Sequence, residues 1–282
     1  MSRFGRLGCH VSTRGGYRAA AERAAAIGCG SFQYFPKNPR SLGAKAFDRG
    51  DAGRCREFCV ERGIDSIAHS PYPCNLASAD ASTRERTALS LLNDLDIAES
   101  CGSSGVVVHF GVYKDGDPLE GYKLMIRTLD FITERWDGRC RLLIENQAGN
   151  HGFMGMTMEE LAQVLALCRE PDKLGICIDS CHLFASGVWD GGEQPTWSVS
   201  AAGAAARGQV RALHLNGSVY PSGSRKDRHA RIGEGELGLA GLGWLLRHFP
   251  GVPAVLETSQ DDGGGYEGQL ERLLGAEAEG RR

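Results

Sequence analysis

Eight times along this chain a short apolar run gives way to a stretch with helical spacing, and nothing else in it limits the available folds so sharply. The runs are Arg6–Ser12, Ser31–Phe35, Asp65–Ser70, Gly105–Phe110, Arg141–Glu145, Leu174–Asp179, Val210–Leu215 and Val252–Thr258. Between them, Tyr17–Cys29, Asp51–Arg62, Ser82–Ser100, Thr157–Cys168, Ser198–Arg207, Leu237–Phe249 and Tyr266–Leu274 carry helical patterns, and Met125, Leu129, Ile132 and Trp136 mark one more. Thr157 with Glu160 has the form of a capping box. Continuous apolar strands are what a sheet buried on both faces requires. Strict alternation with helices predicts a parallel sheet covered by helices, either doubly wound or closed.

Eight units in 282 residues average about 35 residues each, which favours a single (β/α)₈ TIM barrel with its active site at the C-terminal strand ends. No glycine-rich dinucleotide fingerprint follows the first strand, which weakens the Rossmann alternative. No segment reads as an interdomain linker, so residues 1–282 are expected to form one domain, with 275–282 as a frayed tail.

The chemistry has to be sought locally, because composition is ordinary: 41% hydrophobic, 24% charged, net charge −3. That balance leaves no global electrostatic footprint for nucleic acid, although a local basic rim can suffice. The ten cysteines (9, 29, 55, 59, 74, 101, 140, 168, 177 and 181) are scattered through strand-like and helix-like segments. They read as reduced thiols packed as small hydrophobes, not as a disulfide scaffold. Cys55/Cys59 and Cys177/Cys181 have three intervening residues, unlike the tight Cys-x-x-Cys of zinc ribbons. No apolar run approaches the roughly 20 residues of a membrane span, and the first residues lack a signal-peptide core, so a cytoplasmic location is expected.

The polar residues fall in phase with the strands. The third to eighth runs end in His69, His109, Glu145, Asp179, His214 and Glu257, at intervals of 40, 36, 34, 35 and 43 residues. In a barrel these positions converge on one face. Burying so many ionisable groups together is costly unless a cation pairs them. Three further candidates lie just beyond strand ends. His182 follows Asp179 in Asp-Ser-Cys-His, while Asp227 and His229, one residue apart, can project the same way from an extended chain. One ion takes about four to six ligands, so nine candidates point to two or three ions. Histidine with carboxylate suits Zn²⁺, with Mn²⁺ or Fe²⁺ as alternatives. Such a cluster can hydrolyse a phosphate ester without a protein nucleophile. Neither a Gly-x-Ser-x-Gly elbow nor a phosphate-cradling Walker motif is present.

An ordered set of motifs runs almost end to end: Gly8-Cys-His-Val-Ser12, Phe35-Pro-Lys-Asn-Pro-Arg40, His69-Ser-Pro-Tyr72, His109-Phe-Gly111, Glu145-Asn-Gln-Ala-Gly149, Asp179-Ser-Cys-His182, His214-Leu-Asn216, Arg225-Lys-Asp-Arg-His229 and Glu257-Thr258. In these the chain resembles the endonuclease IV family of apurinic/apyrimidinic endonucleases, three-zinc TIM barrels of base excision repair. The resemblance implies that Glu145, Asp179, His214 and Glu257 hold one ion, that His69 and His109 hold a second bridged by Glu145, and that His182, Asp227 and His229 hold a third. It implies cleavage of the phosphodiester 5′ to an abasic site in double-stranded DNA by metal-activated water, leaving a 3′-hydroxyl and a 5′-deoxyribose phosphate, together with 3′-end trimming. Glu257 is implied as the residue that orients or deprotonates the water, with Glu145 as the bridging carboxylate.

Tyr72 and Arg40 match side chains that meet the flipped-out nucleotide and the gap in the duplex, and Lys37 and Arg228, with Arg225 and Lys226, are expected on a phosphate-binding rim. Monomeric action without an obligate protein partner is implied as well. The chain departs from the family pattern at Gly217 and Val219, where an acid and a base are usual, at Gln147, where Thr is usual, and in the loop from Gly187 to Trp197. The competing expectation is a single-metal sugar isomerase or epimerase on the same barrel, for which Glu145, Asp179, His214 and Glu257 would suffice.

Overall fold

The computed structural model describes residues 2–114, 116–192, 195 and 201–279, with the backbone alone at 201 and 202. Strands β1 (Leu7–His10), β2 (Ser31–Tyr34), β3 (Asp65–His69), β4 (Gly105–His109), β5 (Arg141–Glu145), β6 (Leu174–Asp179) and β7 (Val210–His214) are parallel neighbours in sequence order. Two short strands, β8 (Gly217–Ser218) and β9 (His229–Ala230), form an antiparallel hairpin above the barrel. β10 (Ala254–Leu256) then inserts between β7 and β1 and closes the eight-stranded barrel.

Around it lie α1 (Tyr17–Ile27), α2 (Arg49–Arg62), α3 (Ala81–Cys101), α4 (Pro118–Thr133), α5 (Met158–Leu167), α6 (Ser180–Ser186), α7 (Ala201–Arg207), α8 (Leu239–His248) and α9 (Glu267–Glu279). The capping box at Thr157 and Glu160 is formed at the start of α5. The expected start of α7, residues 198–200, lies outside the described residues, as does Trp197. No described helix is long and apolar enough to cross a membrane. All ten cysteines are free thiols buried in the fold.

The barrel interior explains why the strand-end residues converge. Ile67, Val107, Leu143, Cys177, Ala212 and Val255 make a fully buried cluster of their own, one residue from each of six consecutive barrel strands. Side chains two apart on a strand share a face. The next inward position on each strand is therefore His69, His109, Glu145, Asp179, His214 or Glu257. Strand register adds lateral alignment, with His109 opposite Glu145 and Asp179 opposite His214.

Two segments differ from the sequence expectation. α6 begins directly at the end of β6, because the Asp179 side chain caps it by accepting a hydrogen bond from the His182 amide at 2.8 Å. The segment from 275, expected as a frayed tail, continues α9 to Glu279. Here α8 and α9 approach so closely that a Cβ on Gly243 would lie 2.4 Å from the Ala276 carbonyl oxygen, which also accepts a hydrogen bond from Arg247. Tertiary packing adds to the helix-forming Ala276-Glu-Ala-Glu279 in holding that last turn in place; residues 280–282 lie outside the described part.

Candidate metal centre

All nine sequence-selected candidates meet at the C-terminal mouth of the barrel, in three groups, two of which share a residue. His69, His109 and Glu145 form one, Glu145, Asp179, His214 and Glu257 a second, and His182, Asp227 and His229 a third; within each group the donor atoms lie within 4.8 Å of one another. Glu145 belongs to two groups. Its Oε2 is 3.4 Å from His109 Nε2 and 3.6 Å from His69 Nε2, while its Oε1 is 2.9 Å from His214 Nδ1. The third group is built by two elements that the barrel alone does not supply. The capped first turn of α6 carries His182, and the β8–β9 hairpin carries Asp227 and His229. The connecting loop is tied down on α6, with the Arg225 and Gly223 amides donating to Ala185 O at 2.8 Å and Phe184 O at 3.1 Å.

Backbone carbonyls orient the imidazoles. His69 Nδ1 lies 2.8 Å from Ser70 O and His182 Nδ1 lies 2.9 Å from Asn146 O. A carbonyl can only accept, so each Nδ1 carries the proton and each Nε2 faces the cluster. Hydrogen bonds of this kind fix the tautomer of metal-binding histidines. Asn216 donates to Asp179 Oδ2 at 2.6 Å and accepts from the Glu257 amide at 2.9 Å, so it locks two strand ends together.

The electrostatics fit a cation. Glu145 Oε2 and His229 Nε2 are buried without a hydrogen-bond partner, the costly condition that a bound ion relieves. Burial opposes ionisation of Glu145, yet His214 and His69 hold its carboxyl well below the usual range. Burial likewise opposes charge on Glu257, but His214 leads the groups that bring it down to about 2. Reciprocally, His229 is raised to about 9 against the effect of burial, by the Asp227 carboxylate 3.3 Å from its Nε2 and by the charge of Asp179. His182 is driven well above its ordinary value, again against burial, by Asp179 and Asp227. Protons on imidazoles stand where positive charge is needed, and carboxylates with imidazoles are a donor set for divalent zinc, manganese or iron. Cys181 also lies near Asp179 and His229. Burial pushes its thiol up, so it stays protonated and is the weakest donor in the set.

The expected DNA-contacting residues divide. Tyr72 is 60% exposed, its ring 5.4 Å from that of Phe35 and its amide donating to Pro39 O at 2.9 Å. Arg40 and Arg228 are exposed at the same mouth, as are Arg225 and Lys226, whose cations stack on Phe153 and Tyr220. Lys37 does not belong to this rim. Its side chain is buried, with Nζ 3.0 Å from Asp94 Oδ1 and donating to Ser90 O at 2.7 Å, so it cannot reach a phosphate. The Pro36 turn directs it into α3 instead of solvent.

Several departures acquire a physical account. A Cβ on Gly217 would lie 2.8 Å from Ala230 O, so the hairpin closes over a position that has no room for an acidic side chain. Gln147 donates to Gly111 O at 2.7 Å and joins two strand-to-helix loops. In the Gly187 loop, Trp189 is buried and its indole donates to Gly192 O at 2.8 Å. Nothing in the structure explains Val219, which is exposed.

Sequence reasoning also passed over His10 and Gln33. His10 ends β1, so the strand-end rule applied to the first strand would have found it. Gln33 is a fully buried polar residue within an otherwise packed strand. Its side chain contacts His10, His214 and Glu257.

A closed βα barrel with clustered metal donors at its mouth defines a class, and the comparisons with known proteins agree with it. Residues 21–279 match the family described as Xylose isomerase-like TIM barrel. The chain is 39% identical over 263 residues to the probable endonuclease 4 of Symbiobacterium thermophilum, covering 93% of this chain and 95% of that one. It also superposes on the crystal structure of endonuclease IV from Thermus thermophilus, with a TM-score of 0.80, 30% identity and coverage of 97% and 98%. A D-tagatose 3-epimerase-like protein shares the fold alone, at 18% identity, a TM-score of 0.71 and coverage of 96% and 97%. The chain belongs to the endonuclease IV family.

Proposed function

We propose that this protein is an apurinic/apyrimidinic endonuclease of DNA repair, acting as a monomer on duplex DNA with three divalent ions, zinc foremost, and trimming blocked 3′ ends with the same site. The observation that carries this reading is the third donor group, His182, Asp227 and His229, beside a quartet that would already hold one ion. An isomerase has no use for the additional groups. In this reading Glu145 would be shared between two ion sites, and His69 and His109 would complete the second. When bound, the ions would supply Lewis acidity, activating water and neutralising charge on the phosphoryl group.

The chain's own residues supply orientation. Glu257 is 20% exposed where Glu145 and Asp179 are shut in, so it is the strand-end carboxylate that a water entering from the mouth can meet. It therefore takes the role of orienting that water and accepting its proton. Tyr72 and Arg40, coupled through the Tyr72 amide bond to Pro39, present an aromatic face and a cation to the gap left by the missing base. Extruding a nucleotide costs least where pairing is already lost, which gives selectivity for abasic sites. Arg228, Arg225 and Lys226 contribute phosphate contacts on the opposite rim.

The deciding experiment is nicking of a duplex carrying one abasic analogue, with and without chelator, alongside elemental analysis of metal per chain. The expected result is chelator-sensitive nicking on the 5′ side with three ions bound. One ion per chain, ketose interconversion and intact DNA would replace this reading with the epimerase one.

A further inference from the structure

We propose that Gln33 is a positioning residue of the metal centre: its one side-chain amide selects the nitrogen that His214 turns to the cluster and holds the Glu257 carboxylate beside it. The inference rests on the metal-binding reading above. Gln33 lies on β2, one of two barrel strands that supply none of the nine candidate donors, and is fully buried. Its Oε1 is 2.7 Å from His214 Nε2, and its Nε2 is 2.6 Å from Glu257 Oε1 and 3.2 Å from His10 Nδ1.

Only one amide orientation satisfies all three contacts with Glu257 ionised. A carboxylate oxygen needs a donor, so the NH₂ must face Glu257, and its second hydrogen then serves His10. The amide oxygen is left for His214, whose Nε2 must donate to it. The consequence for His214 is that its proton stays on Nε2 and the Nδ1 lone pair is available where Glu145 Oε1 and Glu257 Oε2 gather, 2.9 and 3.2 Å away. Turning the amide over would set its oxygen against the Glu257 carboxylate, a repulsive contact made by a Gln33 side chain that is itself fully buried.

For Glu257 the same bond engages Oε1 and leaves Oε2 on the side of His214 and Asn216. Losing such an outer hydrogen bond lowers metal affinity by about 10–100-fold in comparable sites. Gln33 thus does from β2, without touching an ion, what Ser70 O and Asn146 O do for His69 and His182.

The test uses Gln33→Met, close in volume and without hydrogen-bonding groups, and Gln33→Glu, which keeps the acceptor for His214 and removes the donors to Glu257 and His10. Zinc affinity is read by competition with a chelating dye, and the coordinating nitrogen by NMR of ¹⁵N-labelled imidazoles in the zinc-loaded protein. In Gln33→Met, zinc binding at one site should weaken about 10–100-fold, with loss of the single Nδ1-coordinated His214 signal. In Gln33→Glu, the His214 pattern should survive while affinity still falls. Native affinity with an unchanged His214 signal in Gln33→Met overturns the inference. Should that variant not fold, native affinity in Gln33→Glu overturns it instead. Failure of the unsubstituted protein to take up zinc would overturn the metal reading, and the inference with it.

Discussion

Lys37 with Asp94, and the nine residues at the barrel mouth, both gather ionisable side chains at buried or half-buried positions, but they balance their charges differently. In the first region one cation meets one anion: Lys37 Nζ is 3.0 Å from Asp94 and also donates to the Ser90 carbonyl. In the second, four carboxylates face five imidazoles, and Glu145 Oε2 remains without a hydrogen bond. The pair balances one cation against one anion, although both Asp94 oxygens, like Glu145 Oε2, lack a hydrogen bond; the cluster gathers four carboxylates with no lysine or arginine among its nine residues. Buried charge alone therefore does not mark a functional site. The informative signal is a convergence of metal-donor side chains that no lysine or arginine of the chain closes.

The largest expected effect belongs to the barrel mouth. Glu257→Gln should lower the rate of abasic-site nicking by about 10²–10⁴-fold, the usual cost of removing a general base, with thermal unfolding of the protein little changed. A rate within a factor of three of native would remove Glu257 from the proton-accepting role.

Next comes the buried pair. Asp94→Ala strands a buried ammonium and should destabilise the fold by about 3–5 kcal/mol, while the double substitution Lys37→Met/Asp94→Leu should come close to native stability. Urea unfolding of the variants measures both. If the double variant lost as much as the single one, the pair would have to be supplying more than mutual neutralisation. Nicking by the double variant also checks that Lys37 contacts no phosphate.

Tyr72→Ala is expected to weaken binding to an abasic duplex by roughly 1–3 kcal/mol, the contribution of one aromatic–base contact, and to leave the zinc content unchanged. Equal affinity of native and variant in a fluorescence-anisotropy titration would place the gap-facing contact elsewhere.

A pH dependence is expected as well. Burial pushes the Asp94 carboxyl up to about 7, with Lys37 pulling it down. Its ordinary value is about 3.9, so the folded protein holds this proton more tightly than the unfolded chain does. The resulting stabilisation is fully present below pH ~4 and is lost as pH rises through 7. Native stability relative to the Lys37→Met/Asp94→Leu double variant should thus decline between those limits, and a flat difference would contradict the assignment.

How far the site could be read from the chain depends on which contacts were regular. His69, His109, Glu145, Asp179, His214 and Glu257 stood out because each sits two residues beyond an inward-facing residue of a barrel strand, so one repeat located all six. His182 and Asp227-Arg-His229 were legible only as short local patterns just beyond strand ends, since their place is set by an N-cap and a hairpin that have no repeat to follow. Gln33 and His10 lie on the first two strands, outside that run of six, and Lys37 looked like any solvated lysine beside Asn38 and Arg40.

By itself the sequence determined the alternation of strand and helix, the inward phase of the strand-end donors and the family motifs, because a two-residue period and helical spacing are local properties of the chain. Tertiary structure alone decided that Lys37 turns inward to Asp94, that α9 runs on to Glu279 against Gly243, that Gly217 lies under the hairpin, and that one amide on β2 faces His10, His214 and Glu257 together. Each of these depends on which distant segments share a volume, and barrel closure is the step that brings them there.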